Sequence, residues 1–334
     1  MSNNNNGQQE IVINESTPLL QTEQQQRQQR IQNAKSEAFG LILMTLSALA
    51  FSTMSLFVKL SGASFASFEI VAARSIVQAA LGLVGCYMLG INPLGKPGVR
   101  KWLFVRGFVG STGLALFFYS ITQLPLADAT VVFFLSPTFT AILAALILRE
   151  AFTFFDGICA TLCMVGAILV SKPTFLFGGD DMETGSLQRA LAVLAALVGA
   201  LMAAFAYVTV RKIGKGAHFL VHTVYFGVIS TVTAIPMLFA FQEYVAPEGW
   251  KEYGMLLMTG VLAFIGQCLL NNGLQLAPAG PGTLMRMNDV AFAFAFGILI
   301  LHEYPDVYSV TGALLVVGTT VAMGVKKWFK SKQQ

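Results

Sequence analysis

The chain has 334 residues, of which 55% are hydrophobic and 11% charged, and its formal net charge is +4. Soluble globular domains carry about 25% charged residues, so this composition excludes a water-soluble protein and indicates a compact polytopic membrane protein. A helix crosses a bilayer in roughly 20 residues. Ten such helices with short connections leave no room for a folded domain outside the membrane.

Residues 1–37 are rich in Asn and Gln and have almost no aromatic content, which predicts a disordered cytosolic tail. The tail lacks the basic start and cleavage site of a signal peptide, so we expect the first span to be retained. Within it, Glu15, Leu19 and Leu20 resemble an acidic dileucine sorting signal. This signal favours an endosomal, lysosomal or vacuolar membrane, with the plasma membrane as the alternative, and makes a clathrin adaptor a candidate partner.

Ten apolar segments follow the tail, and we expect each to form one transmembrane helix. Pro, Gly and charged residues separate them, and Pro125 indicates a break between the third and the fourth. The segments cover residues 38–58, 67–90, 103–122, 127–148, 153–171, 187–209, 218–240, 254–275, 281–301 and 307–325.

Most of the 21 Lys and Arg residues fall on the side of the N-terminus in this arrangement, including the basic end at residues 327–334. Basic residues concentrate in cytoplasmic loops, so we expect both termini in the cytosol. The four cysteines lie inside apolar segments, away from any metal-site spacing, which predicts reduced thiols and no resident metal.

The chain repeats itself weakly at an offset of 153 residues, which divides it into halves at 38–172 and 187–326. Each half has five spans, an odd number, so the second half must cross the membrane in the opposite orientation. We therefore predict an all-α integral membrane fold of ten transmembrane helices in two inverted five-helix repeats. Pro125, Thr130 and Glu150 correspond to Pro278, Thr283 and Glu303, and Gly166 corresponds to Gly318 after one shifted residue.

Two corresponding segments carry a family resemblance. They are LPLADATVVFFLSPTFTAILAALILRE at 124–150 and LAPAGPGTLMRMNDVAFAFAFGILILHE at 276–303. On these segments and the ten short spans, the chain resembles the EamA-like branch of the drug/metabolite transporter superfamily. Within it, the chain is similar to the eukaryotic solute carriers grouped near the nucleotide-sugar transporters. The resemblance implies a central cavity between the halves, lined mainly by helices other than the fifth and tenth.

Arg286 and Asp289 are the strongest candidates for a substrate site. A charged side chain at the bilayer centre costs roughly 2.5–3.5 kcal/mol, so such residues usually face a polar cavity or a partner. Arg286 would hold an anionic group, while Asp289 orients the guanidinium or carries a coupled proton. The alternative is an i,i+3 ion pair that only fixes helix packing.

Uncharged polar side chains form a second candidate group on the eighth span. Gln267, Asn271 and Gln275 lie at successive i+4 positions and can hydrogen-bond a polar solute, although they can equally hold helices together. On the second span we expect Glu69 and Arg74 to line the cavity or a gate, with Arg74 one turn before Gln78. Arg106 begins the third span near Gly110 and Gly113, and we expect it to snorkel to lipid headgroups.

His218 and His222 have the i,i+4 spacing of two metal ligands, but no third ligand lies nearby and basic residues precede them. One hypothesis is a proton-sensitive role for His222, and the other is ordinary packing. Tyr225, one turn away, is a candidate substrate-binding residue.

The pairs Arg149–Glu150 and His302–Glu303 end the fourth and ninth spans. Interface salt bridges explain them most simply, while their equivalence across the repeat also fits latches that close opposite faces in turn.

Together these patterns predict a secondary carrier of a small polar, anionic or zwitterionic organic metabolite, with no cofactor and no catalytic residues. The sequence contains no phosphate-binding loop for ATP. The expected partners are the substrate, the lipid bilayer, the adaptor and a second copy of the chain, but no nucleic acid. The alternatives are an integral membrane enzyme or lipid-modifying protein that uses His218 and His222, and a non-transporting scaffold.

Overall fold

A computed structural model describes residues 16–60, 65–124, 126–151, 153–171, 174–177, 186–247, 249–302 and 306–333. All regular structure in these ranges is helical, which confirms the expected all-α membrane fold. The first half contains α1 to α6: Ser16–Leu60, Ser67–Met88, Arg100–Gln123, Leu126–Phe133, Ser136–Leu143 and Phe154–Ser171. After the short α7 (Thr174–Phe177), the second half contains α8 to α13: Ser186–Ile213, Phe219–Phe241, Trp250–Leu276, Ala279–Met285, Asn288–Leu299 and Val307–Gln333.

Within the described residues, nine helical segments are long and apolar enough to cross a membrane. We expected residues 281–301 to form one continuous helix, the ninth span. The structure instead divides them into α11 and α12, with a turn at Arg286 and Met287. At this turn the side-chain amide of Asn288 donates to the Met285 carbonyl at 2.9 Å, so a side chain satisfies a backbone group that the helix leaves open.

The expected fourth span is divided at the corresponding place. A turn at Phe134 and Leu135 separates α4 from α5, and Pro137 follows in the first turn of α5. Proline has no N–H to donate, so it fits a helix start better than a helix interior. Both halves therefore carry a broken helix, and at the 153-residue offset the two turns correspond to within one residue.

The helix α1 begins at Ser16, inside the segment expected to be a disordered tail of residues 1–37. Residues 25–29 are exposed, as the polar composition requires. Gln, Glu and Arg have high helix propensity, and a helix already nucleated in the membrane extends without a new nucleation step. The polar composition therefore predicted that these residues are not packed in a hydrophobic core, but it did not predict the helix.

Helices from the two halves pack against each other in equivalent pairs. The helices α1 and α3 pack against α10 and α8 respectively, α2 against α9, and α6 against α13. Among the described residues, the only positive φ angles outside glycine belong to Arg149 and His302, both at 55°. Such backbone is uncommon, and these residues lie 153 positions apart, so it marks the repeat.

Glycines allow the closest crossings between the halves. A Cβ at Gly166 would lie 2.7 Å from the carbonyl oxygen of Gly312, and one at Gly113 would lie 2.9 Å from that of Gly199. Small residues let membrane helices approach closely and pack tightly. The repeat aligns Gly166 with Gly318, but a Cβ at Gly318 would meet nothing within 4 Å, so Gly312 makes the contact.

Candidate functional site

Arg286 and Asp289 lie at the break between α11 and α12. The Arg286 Nη2 is 3.6 Å from the Asp289 Oδ2, and the side chains are 21% and 26% exposed. The guanidinium stands over the Phe51 ring of α1, 4.4 Å from the ring centroid. The predicted pair is therefore formed, and neither side chain is fully buried.

Arg74, on α2, is 5% exposed. Its Nη1 is 3.6 Å from the Met54 sulfur, a weak acceptor, and its Nε has no hydrogen-bond partner among the described residues. Phe51, which lies under Arg286, is one turn before Met54 on α1, so Arg74 and Arg286 contact the same stretch of α1.

The expectation that Arg106 snorkels to the headgroups is wrong. Arg106 is 2% exposed, and its Nη2 donates to Gln267 Oε1 at 2.9 Å and to Asn271 Oδ1 at 3.1 Å. Its guanidinium also lies 4.6 Å from the centroid of the Phe226 ring. The following Gly107 brings α3 against α9, which turns Arg106 into the bundle.

A polar network surrounds Arg106. The Asn271 Nδ2 donates to Thr223 Oγ1 at 3.0 Å, and the Gln78 Nε2 donates to the Thr223 carbonyl at 3.1 Å. His222, next to Thr223 in the chain, is fully buried, and neither ring nitrogen has a hydrogen-bond partner within the described ranges. The site therefore draws on α2, α3, α9 and α10, and Thr223 is a member that the sequence pattern missed.

Three predicted residues lie away from this network. The Gln275 Nε2 donates to the Ala217 carbonyl at 2.8 Å, and the Tyr225 hydroxyl donates to the Leu94 carbonyl at 3.2 Å. Glu69 accepts from the Val245 N–H at 3.3 Å. These contacts join helix ends and loops. They therefore hold neighbouring helices together and are not part of the network around Arg106.

His218 lies just before α9 and caps it, because its Nδ1 accepts from the Leu220 N–H at 3.4 Å. No group of three or more His, Cys, Asp or Glu residues within the described part of the chain is placed to hold a metal ion.

Glu150 ties one end of the bundle together. Its Oε1 is 2.8 Å from the Arg211 Nε, and its Oε2 accepts from the Ala279 N–H at 2.8 Å. Arg211 also donates from Nη1 to the Gln275 carbonyl at 3.0 Å. We call Glu150, Arg211, Gln275 and Ala279 the Glu150 cluster, which connects α8, α10 and α11 of the second half to the first.

The remaining predicted latch and sorting residues take part in no described ion pair. Arg149 and His302 are exposed. Glu303 and Glu15 lie outside the described residues, and of Leu19 and Leu20 only the backbone, in α1, is described.

Two interlocked helical halves with matching breaks and a buried charged site between them define a membrane transport protein. The chain matches the EamA-like transporter family over residues 38–172 and 190–325. It belongs to that family and is a multi-pass membrane transporter.

Named relatives agree with this class. The human solute carrier family 35 member G1 is 33% identical over 304 residues, which cover 90% of this chain and 83% of the human protein. A pseudopaline exporter of Pseudomonas aeruginosa is 29% identical over 86% of this chain and 96% of its own. These names oppose the alternative of a membrane enzyme. A solved crystal structure that is 17% identical superimposes with a TM-score of 0.73 over 84% of this chain and 94% of its own, which shows the same fold.

Proposed function

We propose that this transporter is a secondary carrier that moves a small anionic or zwitterionic organic metabolite by alternating access. The observation that carries the proposal is the charge of the site. Arg74 on α2, Arg106 on α3 and Arg286 in the turn between α11 and α12 supply its positive charge, and Asp289 is the one carboxylate among the described residues that pairs with any of them.

Uncompensated charge in the membrane interior is expensive, so it needs a partner. An anionic substrate supplies that partner when it binds, and guanidinium groups recognise carboxylates and phosphates through paired N–H donors. Asp289 offers a matching acceptor for an ammonium group, which extends the proposal to zwitterions. The same carboxylate is our candidate for carrying a coupled proton.

The repeated features support alternating access. Inverted repeats allow the two halves to exchange arrangements around one site near the bilayer midplane. The broken helices and the left-handed residues recur in both halves, whereas the Glu150 cluster closes one end. Opening that end requires separation of Glu150 from Arg211 and from the Ala279 N–H. We place this end, with both termini, in the cytosol because basic residues concentrate there.

A crosslink tests the gating step. In a chain whose four native cysteines are replaced by alanine, Glu150→Cys and Arg211→Cys are joined with a bifunctional thiol crosslinker. We expect the linked protein to stop transporting, and cleavage of a reducible linker to restore transport. Full transport by the linked protein would contradict a gate at this end.

Ligand binding tests the substrate class. The purified protein is screened by thermal shift against carboxylates, amino acids, phosphorylated sugars, nucleotide sugars and pseudopaline. A compound that binds the folded state raises its stability as concentration rises. We expect anions or zwitterions to do so, and Arg286→Ala to abolish the shift. Stabilisation by cations or neutral sugars alone would refute the substrate class.

A further inference from the structure

Arg106 is buried in the bundle, separate from the Arg286–Asp289 pair. The guanidinium is 2% exposed, yet its Nε and Nη1 have no hydrogen-bond partner among the described residues. Its Nη2 uses the amide oxygens of Gln267 and Asn271, which are neutral. A buried guanidinium that contacts only neutral acceptors retains its positive charge and two unsatisfied donors.

The surrounding network fixes this arrangement. Because Asn271 donates its amide N–H to Thr223 Oγ1 at 3.0 Å, its oxygen must face Arg106. Gln78 donates to the Thr223 carbonyl and so secures the same stretch of α9. Arg106 is therefore held in place by groups that leave its charge uncompensated, which is how a protein prepares a site for an anion.

The other position contains two guanidinium groups and one carboxylate. Arg74 contacts Met54, Arg286 stands over Phe51 one turn earlier on α1, and Asp289 is 3.6 Å from Arg286. This side of the site also retains one positive charge. Three guanidinium groups with one carboxylate leave the whole site with two.

The two positions adjoin but do not coincide. Arg74 belongs to the first position, and Gln78 belongs to the network around Arg106; the two residues are one turn apart on α2, a rise of about 6 Å along the helix axis. The Phe51 ring carries Arg286 on its face, while its edge packs at Gly266, the neighbour of Gln267. This spacing fits two anionic groups several bonds apart on one molecule.

We propose that the substrate carries two separated anionic groups, one bound by Arg106 and the other by Arg74 with Arg286. This inference rests on the proposed function and narrows its substrate class from anions or zwitterions to dianions.

Matched probes test the inference with the purified full-length chain. Thermal shifts are measured with glutarate, monomethyl glutarate and dimethyl glutarate, and with glucose 6-phosphate, which bears both charges on one group. 4-Aminobutyrate, with one carboxylate and one ammonium group, serves as the zwitterion, and the wider panel described above is measured beside them. We expect the strongest ligand to be a compound with two separated anionic groups, bound roughly 10- to 100-fold more tightly than its monoester.

Variants test whether Arg106 binds one of the two anionic groups of the substrate. We expect Arg106→Gln to bring the affinity for the diacid down to that for the monoester, and Arg106→Lys to restore part of the difference. Lys212→Gln removes one positive charge outside the site, where Lys212 lies over the Trp102 ring, and should leave the difference unchanged.

Three results would overturn the inference. They are a strongest ligand that lacks two separated anionic groups, equal affinity for a diacid and its monoester, and equal weakening of both by Arg106→Gln. The first two leave the proposed function standing if anions or zwitterions still bind. Binding of cations or neutral compounds alone, or no binding from the whole panel, contradicts the proposed function itself.

Discussion

Replacement of Glu150 by alanine should destabilise the closed arrangement of the bundle. The substitution removes two charge-assisted contacts of 2.8 Å, one with Arg211 and one with the Ala279 N–H. A hydrogen bond to a charged group contributes about 1.5–3 kcal/mol, but Glu150 and Arg211 are 19% and 25% exposed, so water screens their attraction. We expect a loss of about 2–3 kcal/mol, or a fall in the unfolding midpoint of about 4–12 °C at roughly 2–4 °C per kcal/mol.

Native cysteines provide the assay. Cys86, Cys159 and Cys163 are buried free thiols, so a thiol-reactive fluorophore reports their exposure as the purified protein unfolds. Arg211→Ala and the double variant complete a double-mutant cycle, and we expect the double variant to lose about 1–2 kcal/mol less than the two single losses added together. Arg149→Asn is the matched control, because Arg149 is exposed and Asn tolerates its φ of 55°. Additive single losses, or an equal loss from Arg149→Asn, would refute the reasoning.

Other substitutions address the site and the helix crossings. Arg286→Ala should reduce uptake at least tenfold while expression stays intact, and unchanged uptake would remove Arg286 from the site. Gly166→Ala should cost about 1–3 kcal/mol in the fluorophore assay because its Cβ would meet the Gly312 carbonyl oxygen at 2.7 Å. Gly318→Ala meets nothing within 4 Å and should be neutral or slightly stabilising, so equal costs at the two glycines would contradict the packing. Thr320→Val should cost about 0.6–1.7 kcal/mol through loss of its 3.0 Å hydrogen bond to Asn288, and no change would show that this bond adds no stability.

Hydrophobic length and spacing predicted the membrane fold, because bilayer thickness sets how long an apolar helix must be. In the sequence, the repeat was visible because Pro125 matches Pro278 and Glu150 matches Glu303. The positive φ angles of Arg149 and His302 have the same offset. The break inside the ninth span was not visible. Hydropathy averages over a window, and a two-residue turn between two apolar helices hardly changes that average.

The sequence predicted those contacts of the site that depend on spacing along one helix. It missed those that depend on how a second helix packs. Arg286 and Asp289 share a face by i,i+3 spacing, and the pair forms as expected. Arg106 was misjudged from its place near a span end, since its burial depends on how α9 packs at Gly107. Glu150 pairs with Arg211, which is distant in sequence, instead of its neighbour Arg149. Such contacts follow from tertiary packing, which spacing along one helix does not contain.

Uptake by proteoliposomes tests most directly whether this family member carries anionic metabolites. Purified protein is reconstituted, and labelled compounds from the ligand panel are offered at increasing concentration to vesicles that contain the protein and to protein-free vesicles. We predict saturable accumulation of a chemically unchanged anion or zwitterion that Arg286→Ala abolishes. Accumulation no greater than in protein-free vesicles, or recovery of a chemically altered product, would contradict the account.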